Sequence, residues 1–173
     1  MSATDTELWL DREDEACRNG RLARLDWIAT LAPKAAIWLF PGGWVAKGLF
    51  EEARYCFVYG QYIAAVALGM AYIEYTLAAN FYAAGGKDKL ERANITGLLR
   101  EAASAGWITE EEYSDLDTGR ILRNPLIHFR RPLFEDTIEY RAVSLNEQPD
   151  KILEADAQHV MRAMFRVCAR QAV

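Results

Sequence analysis

The sequence predicts an all-α protein: a helical bundle with an N-terminal helical extension and a short loop or hairpin insertion before the last helix. Three observations carry that expectation. From Val58 to Phe81 the bulky apolar residues Val58, Tyr62, Val66, Met70, Ile73, Leu77 and Phe81 recur at steps of three or four, the period of a buried helical stripe. Thr4 with Glu7, Asp88 with Glu91 and Thr109 with Glu112 repeat the spacing of helix-opening caps. Finally, the alternation of strands and helices that a βαβ fold needs is missing, as are internal repeats.

In chain order, the Thr4–Glu7 cap opens a first helix that is expected to end near Asn19-Gly20. Its acidic run from Asp11 to Glu15 reads as a solvated face. A second piece covers Arg21 to about Ala32 and stops before Pro33. Residues 1–33 form the extension and 34–173 the main domain. Trp38, Phe40 and Pro41-Gly42-Gly43 describe an apolar connecting turn packed on the body. Helices follow at about Trp44–Tyr59 and Gln61–Ala84, parted at Gly60 and closed by Gly85-Gly86. Asp88 with Glu91 starts the next helix, which Ala105-Gly106 stops. Thr109 opens another, running through Arg123. A proline pushes the residue before it away from helical angles, so this helix should end or kink at Asn124, ahead of Pro125. Between Arg131 and Asp150 the alternating Thr137-Ile138-Glu139-Tyr140-Arg141-Ala142-Val143 reads as the loop or hairpin insertion. A last helix covers about Lys151 to Gln171, with Leu153, Val160, Met164 and Val167 facing inward.

Composition narrows the function classes. A chain of 173 residues, 51% hydrophobic and 26% charged, is globular and long enough for one proper core. A net charge of −5 argues against coating nucleic acid by bulk charge, though a local basic site remains open. Cys17, Cys56 and Cys168 are odd in number, widely spaced and without a CxxC pair, so neither a disulfide framework nor a zinc cluster is expected. The polar, acidic N-terminus lacks the pattern of a secretory signal, and the expected location is the cytoplasm. Tyr55 to Ile73 is free of charge for long enough to cross a bilayer. Its glycines, its tyrosines and the single apolar stripe favour a buried core helix, with no membrane partner.

The residues that carry chemistry lie in Arg123-Asn124-Pro125-Leu126-Ile127-His128. Cleaving a phosphodiester without a metal needs a cation to hold the phosphate and a group able to move a proton near neutrality. An arginine followed five positions later by a histidine, with an amide beside the arginine, supplies both. From Thr118 to Pro132 the chain holds Arg120, Arg123, Arg130 and Arg131 with no acid among them, although the preceding turns are strongly acidic.

These blocks carry a resemblance. Glu51-Glu52-Ala53-Arg54-Tyr55-Cys56, then Gly60-Gln61-Tyr62-Ile63-Ala64-Ala65-Val66 through to Glu74, is similar to the helix, glycine break and alanine-rich helix ending in an acid of HEPN domains. Leu122-Arg123-Asn124 with His128 resembles the ribonuclease motif of that family, and the final helix after a variable insertion is also similar. The resemblance covers about residues 40–172 and leaves the first 32 outside. It implies a homodimer that brings two motifs together in one cleft and cuts RNA without metal or cofactor. It also implies a place among toxin or antiviral defence proteins, with a neutralising antitoxin or defence partner as a further expectation.

On this reading His128 is the general base or acid, and Arg123 holds the scissile phosphate through its planar fork. Asn124 orients phosphate or ribose. Glu74 locks Arg123, because an acid at the end of a mostly apolar helix is costly unless paired. Arg120, Arg130 and Arg131 bind the RNA backbone. Plainer readings stand beside each assignment. Asn124 before Pro125 also serves as a helix stop, Glu74 as a structural partner, and His159 as a structural histidine. Arg162, Arg166 and Arg170 form a stripe expected to be solvated. Gly85-Gly86-Lys87 lacks the rest of a phosphate loop, and two histidines 31 positions apart lack zinc-hydrolase spacing. No basic recognition helix stands out. Two functions remain: a dimeric endoribonuclease, or a HEPN-like module that dimerises or binds nucleotide or RNA without cleaving.

Overall fold

The computed structural model describes residues 3–32, 38–85 and 94–171, all of it helix and connecting turn. Seven helices follow one another among these residues. They are α1 (Ala3–Leu31), α2 (Gly43–Val58), α3 (Tyr62–Ala83), α4 (Ile95–Ser104), α5 (Glu110–Ile127), α6 (Ile138–Leu145) and α7 (Pro149–Ala169). No strand is present among the described residues.

The apolar stripe sets α3 at the centre of the bundle, in contact with α2, α4, α5 and α7. Val66, Met70, Ile73 and Leu77 are buried together, as their spacing predicts. Small residues let neighbouring helices close in. A Cβ on Gly69 of α3 would come within 2.8 Å of Val160 Cγ1 on α7, and one on Gly119 of α5 within 2.9 Å of the Met70 sulfur. The backbone of α5 is therefore drawn tightly onto α3, which fixes where the Arg123 end of α5 lies. Among the described residues α3 is also the one helix long and apolar enough to cross a membrane, and here it forms the core of the bundle.

Gly60 parts α2 from α3 at φ +74, a left-handed angle that glycine adopts without steric cost. The connecting turn expected before α2 packs as predicted where it is described. Trp38 meets Phe50 and Phe165 edge-on, and Phe40 packs against Phe50 and Tyr72. The expected Asp88–Glu91 cap lies outside the described residues, and α4 opens instead with Asn94 accepting from the Gly97 N–H. The Thr109–Glu112 capping box is complete, with both reciprocal hydrogen bonds formed. Burial works against the Glu112 carboxylate, but the Thr109 N–H and the Arg170 guanidinium outweigh it and hold its pKa below the usual glutamate range. Its contribution to stability is thus present above that range and fades as pH falls through the lowered value.

Three expectations give way to a different local structure. The first helix does not stop at Asn19-Gly20, since α1 is continuous to Leu31. A mid-helix glycine costs only about 1 kcal/mol relative to alanine, and the packed turns around Arg24 and Trp27 outweigh it. Of the end or kink expected at Asn124, the end does not occur. Helix α5 runs past Pro125 to Ile127, because a proline this close to a helix end removes one hydrogen bond and leaves only a turn to complete.

The insertion forms a loop and the short helix α6 rather than a hairpin. Thr137 caps α6 by accepting from the Tyr140 N–H, and Arg141 grips the buried Asp156 of α7 through two hydrogen bonds of 2.6 and 2.8 Å. Alternation over seven residues could not reveal that distant carboxylate. The arginine stripe of α7 is exposed, as expected, and its guanidiniums also find partners: Arg162 lies over the Trp27 ring at 5.5 Å and Arg166 pairs with Asp115 at 2.6 Å. Arg170 bonds the Trp107 carbonyl and Glu112.

The Arg141–Asp156 fork makes a stability prediction. Asp156 is 3% exposed, so Arg141→Ala would strand a buried carboxylate. Urea denaturation should show a loss of about 3 kcal/mol. The double variant Arg141→Met with Asp156→Leu should recover most of it.

Candidate functional site

The proposed motif occupies the last turns of α5 and the loop after it. Arg123 points toward α3, where its Nη2 lies 3.6 Å from Oε2 of Glu74. That separation is an ion pair rather than a tight hydrogen bond. Both groups are partly exposed, at 20% and 32% of their side-chain surface, so the guanidinium is positioned yet reachable from solvent. Glu74 comes from the same turns of α3 as the buried Ile73 and Leu77, and the core therefore sets its place.

His128 caps the C-terminus of α5 in extended backbone geometry, its N–H donating to the Asn124 carbonyl at 3.0 Å. The imidazole is exposed, and among the described residues no side-chain hydrogen bond holds it. Five residues on a helix of about 3.6 per turn put Arg123 and His128 on different sides of the α5 end. Phe129, 88% exposed, follows immediately. Leu133 adopts φ +61, a left-handed angle that costs a leucine on the order of 1–2 kcal/mol.

Asn124 turns back along its own helix. With the amide oriented to satisfy both groups, its nitrogen donates to the Arg120 carbonyl at 3.3 Å and its oxygen accepts from Arg120 Nη1 at 3.3 Å. Arg120 also pairs with Asp117 at 2.6 Å, and this hydrogen bond is the main reason its pKa is raised. Arg130 pairs with Asp136 at 3.2 Å. Arg131 is exposed and has no ion pair among the described residues. Three of the four arginines that the sequence groups without an acid are thus met by acids from outside that stretch: Asp117, Glu74 and Asp136. Sequence reading missed the roles of Asp117 and Asp136. For Asp117 the signal was available as an i, i+3 pair with Arg120.

Three other titratable groups, His159, Tyr72 and Cys168, have structural settings. His159 Nε2 sits 2.8 Å from the Asp115 carbonyl, tying α7 to α5 as a structural histidine should. Burial pushes the Tyr72 phenol and the Cys168 thiol up, which keeps both neutral in the core. Among the described residues no three His, Cys, Asp or Glu side chains converge as metal ligands. Two large grooves lie elsewhere: one of about 970 Å³ is lined by Arg24, Gly60, Tyr62 and Lys151, and one of about 800 Å³ runs between α1 and α2.

No protein-family model, curated protein or solved structure matches the chain.

Proposed function

We propose that the protein is a HEPN-type, metal-independent endoribonuclease of toxin or defence character, acting in the cytoplasm as a homodimer. The observation that carries this reading is the end of α5. There an exposed His128 with a free imidazole follows Arg123, whose guanidinium Glu74 positions without burying it. RNA supplies its own nucleophile. In the proposed reaction His128 takes the 2′-OH proton, the 2′ oxygen attacks phosphorus, and the P–O5′ bond breaks with a proton delivered to the leaving oxygen. Arg123 stabilises the charge that develops on the phosphoryl oxygens. The products are a 2′,3′-cyclic phosphate and a 5′-OH. Arg131 is free to hold an adjoining phosphate, whereas Arg120 and Arg130 would first have to share or leave Asp117 and Asp136. In the homodimer a twofold axis would bring the two Arg123–His128 segments to one cleft, and a neutralising partner would act by covering it.

One observation favours a second reading. Ile127, Phe129, Leu133 and Phe134 are all exposed around the motif, which suits a module that dimerises or binds nucleotide or RNA without cleaving. Incubating the purified protein with structured and unstructured RNA in EDTA separates the two. The enzyme reading expects cleaved strands ending in cyclic phosphate. Intact RNA under all conditions would leave the binding module, and cleavage that appears only with Mg²⁺ would overturn the metal-free mechanism.

A further inference from the structure

Helix α1 is half packed and half bare. Its C-terminal part is fastened to the bundle: Ile28 is buried, Trp27 lies against Phe57 at 5.1 Å, and Arg24 donates to the Val58 carbonyl at 2.8 Å. From Thr4 to Ala16, by contrast, every residue is exposed, including Leu8, Trp9 and Leu10 at 50–59%. A helical arm of this length that buries none of its residues is marginal in water.

The charges along α1 are separated. Asp5, Glu7, Asp11, Glu13, Asp14 and Glu15 stand against Arg12 in its first half, and Arg18, Arg21 and Arg24 against Asp26 in its second. Along one side of α1, Leu8, Asp11, Glu15, Arg18, Leu22 and Leu25 follow at steps of three and four, the spacing of a helix-pairing stripe; all six are exposed, and Arg18, Leu22 and Leu25 also edge the groove between α1 and α2. Arg21 is already bound to Asp14 of the same helix at 2.8 Å. No ion pair holds Asp11, Glu15 or Arg18 among the described residues.

From this we infer that α1 is a dimerisation arm whose occupant is α1 of a second copy, laid antiparallel across a twofold axis between Ala16 and Cys17. Leu8 and Leu25, Asp11 and Leu22, and Glu15 and Arg18 are equidistant from that midpoint, so each meets the other member of its pair on the second copy. Leucine then covers leucine at both ends, two Glu15–Arg18 pairs form near the axis, and the acidic half of each arm lies along the basic half of the other. A parallel arrangement would set acid against acid. The self-complementary charge is what selects a second copy of this chain over an unrelated partner. The interface does not depend on the proposed ribonuclease activity, since it involves neither Arg123 nor His128.

The test uses light scattering on the full chain, with circular dichroism to check folding. Arg18→Glu and Glu15→Arg each place like charges across the axis, and each alone should lower the assembly by one dimerisation step. Mixing the two variants should restore it as a heterodimer. One chain then carries acids at both positions of the central pair, and the other carries arginines at both. Raising salt should weaken the wild-type assembly. An unchanged mass in both variants, the outcome expected if a different protein covers the arm, would overturn the proposal. So would a loss of mass that mixing fails to reverse.

Discussion

Met70→Asp is expected to leave little or no folded protein at room temperature. Met70 is 1% exposed and sits where α3, α5 and α7 meet, with its sulfur against Gly119. An aspartate there would lose its hydration with no cation placed to receive it, and the shorter side chain would open a void. Together these cost about 4–5 kcal/mol or more, a large part of the roughly 5–15 kcal/mol that holds a typical domain. Thermal melts by circular dichroism should show the loss. Met70→Leu, which keeps volume and polarity, should cost at most about 1.5 kcal/mol. Comparable melts for the two variants would mean that α3 is not the core helix.

Replacing Arg123 is expected to have the largest effect on the proposed chemistry after His128. Arg123→Ala removes the group assigned to the phosphate and leaves Glu74 without its cation. Cleavage should fall at least about 10²-fold. Stability should fall by only about 1 kcal/mol, since Glu74 is a third exposed and water can hydrate it. Arg123→Lys separates the two roles. An ammonium can still neutralise Glu74, so stability should return, but it cannot present the planar fork, so activity should not. If Lys restores cleavage, the bidentate role is wrong. If Ala leaves cleavage intact, Arg123 is a structural residue.

Much of the fold was legible because its signals are local or periodic. The α3 stripe, the Thr109–Glu112 box and the Gly60 break each need only a few neighbouring residues to declare themselves, and each appears where expected. The errors have the opposite character. The continuity of α1 past Gly20 depends on Arg24 and Trp27 reaching the bundle, and the helical state of Ile138–Leu145 on Arg141 reaching Asp156. Those contacts span the chain and leave no local trace. The candidate site divides in the same way. Glu74 was foreseen as the partner of Arg123 because an acid in an apolar helix demands one. The pairing of Arg130 with Asp136 was not, because an arginine cluster in a sequence does not reveal which acids the loop folds back to meet it. The arginine stripe on α7 is exposed as expected, but its partners on α5, on α1 and in the turn before α5 were not foreseen for the same reason.

Whether His128 transfers the proton in metal-free RNA cleavage is decided by a single-turnover rate. Wild type and His128→Ala, matched for folding by circular dichroism, are each mixed in excess over labelled RNA in EDTA. The exposed imidazole carries no packing, so the variant should melt with wild type. Wild type should leave 2′,3′-cyclic phosphate ends, and the variant should be slower by at least about 10²-fold. Equal rates in the two proteins, or no cleavage by wild type, would contradict the assignment of His128.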